Sequence, residues 1–370
     1  MNVVVLACAS RTSGAKTIYL QFLDHLKVNI GVHRYFIFVD ESMPCPSIDG
    51  VTYLVVNGRT WIKRVFLDFF ALRKILKDKN IHPSLIISFQ NTGARCLRDV
   101  PQLIYYHQPI PLYPNKWSFF RSDERAYALY KNIYPFFVSC SFDKNNTDFV
   151  VQIPYIAESL INKIKIDRSR IHVLFPDIES IDLDQIGVYE YEKSTFNFVY
   201  PAVPAIYKEH KTLVEAMRII GEKYPQEIKH IKVHLTLSIQ QGEILKLKIK
   251  QYNLSDCFVF HGVVPHTILL SMINSSHGLL FPSTIETLGL PLIEAASLGK
   301  SIIVSDVCYS HQVIGEYEGV NFVAPYDYEK WAEQIRSHCT SSPITNSHYE
   351  NESQSSWNDF FAIVERKLNN

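Results

Sequence analysis

The stretch Pro282-Ser283-Thr284-Ile285-Glu286-Thr287-Leu288-Gly289-Leu290-Pro291-Leu292-Ile293-Glu294-Ala295-Ala296 decides how this chain is read. The residues before it, His277–Phe281, form a buried strand pattern, and the residues from Pro291 to Leu298 form a helical one. Proline suits the first turn of a helix because its missing N–H would have no helical partner there. Between strand and helix, Gly289 lets the backbone approach a ligand closely. Free backbone N–H groups at such a helix start bind phosphate, and the helix dipole favours negative charge. A diphosphate fits there. Glu294 lies about one turn into the helix, where its carboxylate can accept both hydroxyls of a ribose. Glu286 precedes the helix, where a sugar attached to the diphosphate would lie. Acids also favour a helix N-terminus for electrostatic reasons alone. The spacing and the Gly-Leu-Pro core favour the ligand reading.

Outward from this segment, short apolar runs alternate with longer helical patterns, the mark of βαβ units and parallel sheets. In the first half the expected strands are Asn2–Ala9, Arg34–Val39, Val51–Val56, Leu85–Phe89, Leu103–Tyr106, Phe136–Cys140 and His172–Phe175. Helical patterns include Lys16–Lys27 and Ile62–Lys77. Pro176 opens a polar, acidic stretch to about Thr195 that reads as a linker. A second series follows, with strands at Phe196–Tyr200, Lys232–Leu237, Phe258–His261, Gly278–Phe281, Ser301–Ser305 and Asn321–Val323. Its helices fall at about His210–Tyr224, Gln241–Tyr252, His266–Ile273, Pro291–Leu298 and Tyr328–His338. Thr340–Ser356 reads as a loose polar loop and Trp357–Leu368 as a last amphipathic helix.

The chain has 370 residues, too many for one typical core and suited to two α/β domains. Hydrophobic residues make up 47% and charged residues 20%, which excludes a disordered or fibrous chain. Seven cysteines without a Cys-x-x-Cys point to a reduced, cytosolic protein with buried thiols and speak against structural zinc. The start MNVVVLACAS lacks a basic region and reads as a strand rather than a signal peptide. No apolar stretch reaches the about 18 residues of a membrane span. Net charge is zero but uneven. Residues 1–180 hold 22 Lys and Arg against 15 Asp and Glu, a balance of +7, and residues 181–370 hold the reverse. A basic first half fits an anionic partner or membrane, though drift in surface composition gives the same count. No basic stripe is dense enough for nucleic acid.

The Pro282–Ala296 segment resembles the Glu-x7-Glu motif of family 4 retaining glycosyltransferases, which have the GT-B fold. The continuation Leu298-Gly299-Lys300-Ser301-Ile302-Ile303-Val304-Ser305-Asp306 resembles that family too. The likeness is strong over about 196–327 and weak over nearly the whole chain. It implies that Glu294 holds the donor ribose, that Glu286 contacts the transferred sugar or its phosphate, and that the amides of Leu288, Gly289 and Leu290 hold the diphosphate. Tyr200-Pro201-Ala202-Val203-Pro204-Ala205-Ile206-Tyr207-Lys208-Glu209-His210-Lys211 is similar to the family's Arg-x(n)-Lys segment, whose cations neutralise the leaving diphosphate. Lys208 fits the lysine position. No arginine precedes it, since residues 202–204 are Ala-Val-Pro, so the two-cation clamp is incomplete.

On the first domain, the strand Leu103–Tyr106 leads to His107, which by resemblance touches the transferring sugar. Asn91, after the strand Leu85–Phe89, is similarly placed at the carboxyl end of a strand. The segment Ser10–Lys16, with Gly14, resembles the family's small Gly-containing loop, which lies near phosphate or acceptor, and reads equally as a plain turn. It fails the Gly-x-Gly-x-x-Gly fingerprint, so a nicotinamide cofactor is not expected. Asp182-Leu183-Asp184 lies in an acidic linker and reads as chance rather than a metal site. Two segments combine basic and aromatic residues suited to a membrane interface or a lipid-linked acceptor. They are Trp61–Lys79 and the loop Tyr105–Arg121, with Tyr113 and Trp117. The first reads mainly as a core-facing helix, through Ile62, Val65, Phe66, Phe69 and Leu76.

The expected architecture is therefore GT-B, with two Rossmann-like domains whose parallel sheets face a central cleft. Residues 1–180 form the acceptor-side domain and 196–350 the nucleotide-sugar domain, and the helix at about 357–370 returns to the first. The expected function is retaining transfer of a hexose-type sugar from a nucleoside-diphosphate donor, without a metal cofactor. The expected acceptor is a growing surface polysaccharide or a polyprenyl-diphosphate-linked glycan at the cytoplasmic face of the membrane. The rivals are a sugar-nucleotide epimerase of similar fold and a noncatalytic GT-B partner that only binds glycan.

Overall fold

The computed structural model describes residues 1–11, 13–56, 60–113, 116–178, 181–182, 185–339, 346–347, 349 and 356–369. The chain divides into two compact units, Met1–Ile178 with Ser353–Asn370, and Glu179–Glu352.

The first unit holds a seven-stranded, all-parallel sheet. Its strands are β1 Asn2–Leu6, β2 Arg34–Val39, β3 Val51–Val55, β4 Leu85–Ser88, β5 Gln102–Tyr105, β6 Thr147–Val151 and β7 Ile171–Val173. Their spatial order is β3-β2-β1-β4-β5-β6-β7. Strands buried on both faces read as continuous apolar runs, and β1, Asn-Val-Val-Val-Leu, is one. Val3 and Val5 enter the core on one face, and Val4 and Leu6 the core on the other. The first face is closed by the helix Ser13–Asn29 and by the last helix, Trp357–Asn369. That last helix buries Trp357, Phe360, Phe361, Val364 and Leu368, a 3.6-residue stripe. Phe22, Phe89 and Tyr105 meet its aromatic rings.

Two expectations fail in this unit. Phe136–Cys140 is no strand; it ends the helix Arg125–Cys140. Ala128, Lys131, Pro135 and Val138 are its buried residues, at steps of three and four, and that is helical spacing. The strand in that region is Thr147–Val151. The helix Trp61–Asp78 exists but is interrupted by a π turn at Leu67–Ala71. The extra residue turns Leu67, Asp68, Leu72 and Leu76 inward and leaves Ile62, Phe66 and Phe70 exposed. The core-facing assignment of Ile62 and Phe66 is thereby overturned.

The second unit holds a six-stranded parallel sheet of β8 Phe196–Tyr200, β9 Ile231–Leu235, β10 Phe258–Phe260, β11 Gly278–Phe281, β12 Ile302–Ser305 and β13 Val320–Val323. The order is β10-β9-β8-β11-β12-β13. The helices His210–Lys223 and Tyr328–Ser337 pack against each other beside it, with Leu213, Met217, Trp331 and Ile335 buried. All seven cysteines are free. Cys8 and Cys257 are buried, but Cys45 and Cys308 are exposed, which corrects the expectation of uniformly buried thiols. Leu183 and Asp184, and most of the expected loop 340–356, lie outside the described residues.

Candidate functional site

In the second sheet the chain reverses its direction of winding between β8 and β11, which are neighbours. Open α/β sheets bind ligands beyond the carboxyl ends of strands at such a switch point. The loops leaving these two strands are tied to one another. The carbonyl of Tyr207 accepts the N–H of Thr284 at 2.9 Å and its hydroxyl at 3.2 Å. Tyr309 donates its hydroxyl to the Ser283 carbonyl at 2.8 Å, and Ser305 donates to the Pro282 carbonyl at 2.8 Å. The result is an ion pair between Lys208 Nζ and Glu286 Oε1, with side chains only 12% and 14% exposed. The ammonium also lies over the rings of Phe281 and Tyr207, at 5.8 and 5.7 Å from their centres.

Two neighbours keep this pair in a neutral frame. Tyr200 donates its hydroxyl to the Lys208 carbonyl. Burial, reinforced by the charge on Glu286, raises its pKa well above the usual tyrosine value. His210 opens the helix His210–Lys223. Burial and then the charge on Lys208 push its pKa down to about 3, so it stays uncharged at neutral pH. Lys211, one residue on, is exposed.

The helix Leu290–Ser297 begins behind Gly289, whose φ of 74° is left-handed. A side chain there would be strained, and its Cβ would lie 3.2 Å from Leu292 Cδ1. Among the described residues, none accepts a hydrogen bond from the backbone amides of Glu286 through Leu290. Free amides at a helix start are suited to an anion by backbone geometry and the helix dipole, and Lys208 lies at Glu286, the first of them. Glu294 lies on the first turns of this helix, mostly buried, and its Oε1 sits 2.8 Å from His266 Nε2. The structure thus brings Lys208 to Glu286 and pairs Glu294 with His266. The sequence reading missed His266, Thr284 and Tyr309; their contacts span many residues and leave no local pattern.

In the first unit, the switch between β1 and β4 leaves the loops after β1, β4 and β5 at one edge of the sheet. Asn91 follows β4 with a left-handed φ of 65°. Its Oδ1 accepts the backbone N–H of His107, after β5, at 2.6 Å. Burial lowers the His107 pKa to about 4, and Nδ1 has no partner among the described residues. Gly14 departs from the expected loop: the helix Ser13–Asn29 has already begun, and Gly14 sits exposed in its first turn with room for a side chain. Tyr113 is buried and stacks on Trp117, ring centres 4.7 Å apart, while Trp117 also meets Tyr127. The exposed aromatic residues of that segment are Phe119 and Phe120 instead.

Among the described residues no cluster of three or more His, Cys, Asp or Glu is arranged to hold a metal ion. No helix among them is long and apolar enough to cross a membrane.

Comparison with known proteins follows the same lines. Residues 190–355 match the model of the family described as glycosyl transferases group 1. The chain is similar to the O-antigen chain mannosyltransferase RfbU of Salmonella typhimurium, with 23% identity over 189 residues. That match takes in 51% of this chain and 50% of RfbU, so it spans about half the relative's length. Among solved structures, the chain is similar to WaaG, a glycosyltransferase involved in lipopolysaccharide biosynthesis. The TM-score is 0.66 at 13% identity, over 91% of this chain and 90% of WaaG. Anabaena Alr3699/HepE, solved with UDP and glucose, gives 0.59 at 13% identity over 100% and 95% of the two chains. At such identities the likeness shows the fold, which is GT-B.

Proposed function

We propose, from the group 1 glycosyltransferase domain that this chain carries over residues 190–355, that the protein transfers a hexose-type sugar from a nucleoside-diphosphate donor to a glycan. The observation that carries this reading is the Lys208–Glu286 pair beside the unengaged amides at Gly289. A diphosphate on those amides would place its attached sugar towards Glu286 and its ribose towards Glu294. The bond between sugar C1 and the diphosphate oxygen breaks as the acceptor hydroxyl oxygen bonds to C1; negative charge collects on the departing diphosphate, which takes up the acceptor's proton. Preorganised donors aimed at that charge lower the barrier without reorganising. Lys208 and the loop amides are those donors. His107, in the first unit, is uncharged at neutral pH; that it meets the transferred sugar is what the family resemblance implies.

Retention of configuration belongs to the same proposal, on the resemblance of the Pro282–Ala296 segment to the family 4 retaining glycosyltransferases. So does an acceptor of surface-polysaccharide or polyprenyl-diphosphate-linked type, at the cytoplasmic face of the membrane. RfbU is named for O-antigen chains, WaaG for lipopolysaccharide, and HepE was solved with UDP and glucose; these support a nucleotide-sugar donor and a glycan acceptor. Metal independence is proposed as well, since Lys208 and the helix start supply positive potential. The test is release of nucleoside diphosphate from a panel of UDP- and GDP-sugars, with and without lipid-linked glycan acceptors. Acceptor-dependent release that persists in EDTA is expected. Acceptor-independent release of free sugar would favour an epimerase, and binding without turnover a glycan-binding partner. Loss in EDTA restored by manganese would overturn metal independence.

A further inference from the structure

The helix Trp61–Asp78 is irregular at one place. Its π turn, Leu67–Ala71, adds a residue to the ordinary helical count, a feature frequent at functional sites. In that turn Asp68 is 2% exposed. It lies beside the thiols of Cys8 and Cys96, both of which feel its charge and belong to or pack on the apolar cluster of that face. A carboxylate so placed is expensive to keep unless it is hydrogen-bonded. Among the described residues no basic side chain pairs with it. Its partners lie on a single turn: Gln90 Nε2 donates to Oδ1 at 3.3 Å, and Thr92 Oγ1 donates to Oδ2 at 3.1 Å.

That turn leaves β4 and carries Asn91 between the two clamped residues. Ser88 Oγ accepts the Gln90 N–H at 3.2 Å and donates to the Thr92 carbonyl at 2.5 Å. At the exit, a Cβ on Gly93 would lie 2.6 Å from Gln102 Oε1 and 2.9 Å from the Ser141 carbonyl, so that end is fixed too. Asn91 is held left-handed, at a φ of 65°, and its Oδ1 takes the His107 N–H at 2.6 Å. Asparagine tolerates left-handed backbone better than most residues with a Cβ, and the bonds on either side of it hold this turn in that form.

We infer that Asp68 is a positioning residue: its carboxylate clamps Gln90 and Thr92, fixes the turn at Asn91, and through Asn91 Oδ1 sets the backbone of His107. The consequence for turnover rests on the glycosyltransferase reading; the consequence for His107 does not. An ionised carboxylate accepts from both donors at once. A protonated one must donate through one oxygen, so one of the two bonds has to reverse and its partner re-seat. Burial raises the Asp68 pKa to about 7, against the hydrogen bond from Thr92, the charge on Arg64 and the hydrogen bond from Gln90. The other groups facing this cluster do not change charge near neutrality. Burial raises the Cys8 thiol to about 12 and raises Cys96 as well, with Asp40 acting on Cys8 from beyond. The Tyr134 hydroxyl, which donates to the Gln90 carbonyl at 3.4 Å, is raised well above its usual value, first by burial. The amide introduced by Asp68→Asn imitates the protonated form. Gln90 then has to turn its amide over to accept through Oε1, which has no partner among the described residues, and the turn re-seats around it.

The experiment follows the His107 backbone amide by NMR in the full chain, together with kcat and nucleoside diphosphate affinity. Asp68→Asn and Thr92→Val should both move the His107 amide resonance. They should lower kcat by on the order of 10- to 100-fold, as misplacement of a reacting group does, with UDP or GDP affinity unchanged. Thr92→Ser keeps the hydroxyl and should match wild type. The wild-type His107 amide should titrate near pH 7, and Asp68→Asn should abolish that titration. Thr92→Val serves if the aspartate variant does not fold. A His107 amide indifferent to both variants, or a Thr92→Ser no better than Thr92→Val, would overturn the inference. If the amide behaves as expected while wild type itself releases no nucleotide from any donor, the enzymatic reading fails and the positioning role stands.

Discussion

Lys208 and Glu286 are 78 residues apart and share one ion pair, so truncating either alters the other. Glu286→Ala leaves the ammonium without its carboxylate and makes the start of the helix Leu290–Ser297 more positive. Nucleoside diphosphate binding should hold or tighten, and the loss should fall on turnover, where contacts to the reacting sugar matter. Glu294→Ala should behave oppositely. On the proposed reading it removes a carboxylate that accepts the ribose hydroxyls, and charge-assisted hydrogen bonds of that kind are worth roughly 1.5–3 kcal/mol, about ten- to a hundred-fold in affinity. Calorimetry with UDP and GDP and steady-state kinetics with the full donor separate the two. Intact binding in Glu294→Ala with lost binding in Glu286→Ala would reverse the assignment. Residues on one contiguous segment were legible because strand, glycine, proline and acid carry their meaning locally. The Lys208–Glu286 and Glu294–His266 pairings were not, since nothing in a linear pattern says which loops two strands bring together.

The last helix, Trp357–Asn369, is held by more than its apolar stripe. Lys367 Nζ, 9% exposed, reaches Asp148 Oδ1 at 2.9 Å, and Asp148 also meets Arg170 at 3.0 Å and His172 at 3.1 Å. Burial would raise the Asp148 pKa, but hydrogen bonds from His172 and Lys367 outweigh it and hold it at about 2. A folded-state pKa below the unfolded value gives stability that is present above about pH 4 and lost as pH falls through 2. Asp148→Asn breaks a buried pair and leaves Lys367 uncompensated, so the first unit should lose about 3–5 kcal/mol. Hydrogen exchange across Trp357–Asn369 should rise with it; protection equal to wild type would refute the lock. The same cluster explains a misreading. Thr147–Val151 is a fully buried strand that begins Thr-Asp, and a buried aspartate disguises it unless its distant cations are known. Phe136–Cys140 imitates a strand because Phe-Phe-Val is apolar and follows Pro135, yet the proline lies inside a helix. The π turn at Leu67–Ala71 shifts a helical face by one residue, which periodicity alone does not register.

Across the chain, charge is segregated: the first 180 residues carry 22 Lys and Arg against 15 Asp and Glu. In the first unit, two helices joined by the Phe69–Phe137 ring contact expose apolar side chains amid that charge. Ile62, Phe66 and Phe70 are exposed on Trp61–Asp78, and Leu129, Ile133 and Phe136 on Arg125–Cys140. Lys63, Arg73, Lys74, Lys77 and Arg125 stand on the same helices in water. Aromatic side chains among lysines and arginines suit an anionic lipid surface. Each basic residue near such a surface contributes about 1 kcal/mol, falling off within a Debye length of roughly 8 Å at physiological salt. The protein should therefore float with vesicles containing phosphatidylglycerol, fail to float with pure phosphatidylcholine, and come off the anionic vesicles at high salt. Phe66→Ser with Phe136→Ser should weaken binding at low salt, because apolar insertion acts alongside the charge. The order of effects discriminates between sources of binding. Attraction by charge alone would ignore the phenylalanine changes, and insertion alone would ignore salt and lipid charge. Extraction that needs detergent and is indifferent to salt would rule out peripheral attachment through this surface.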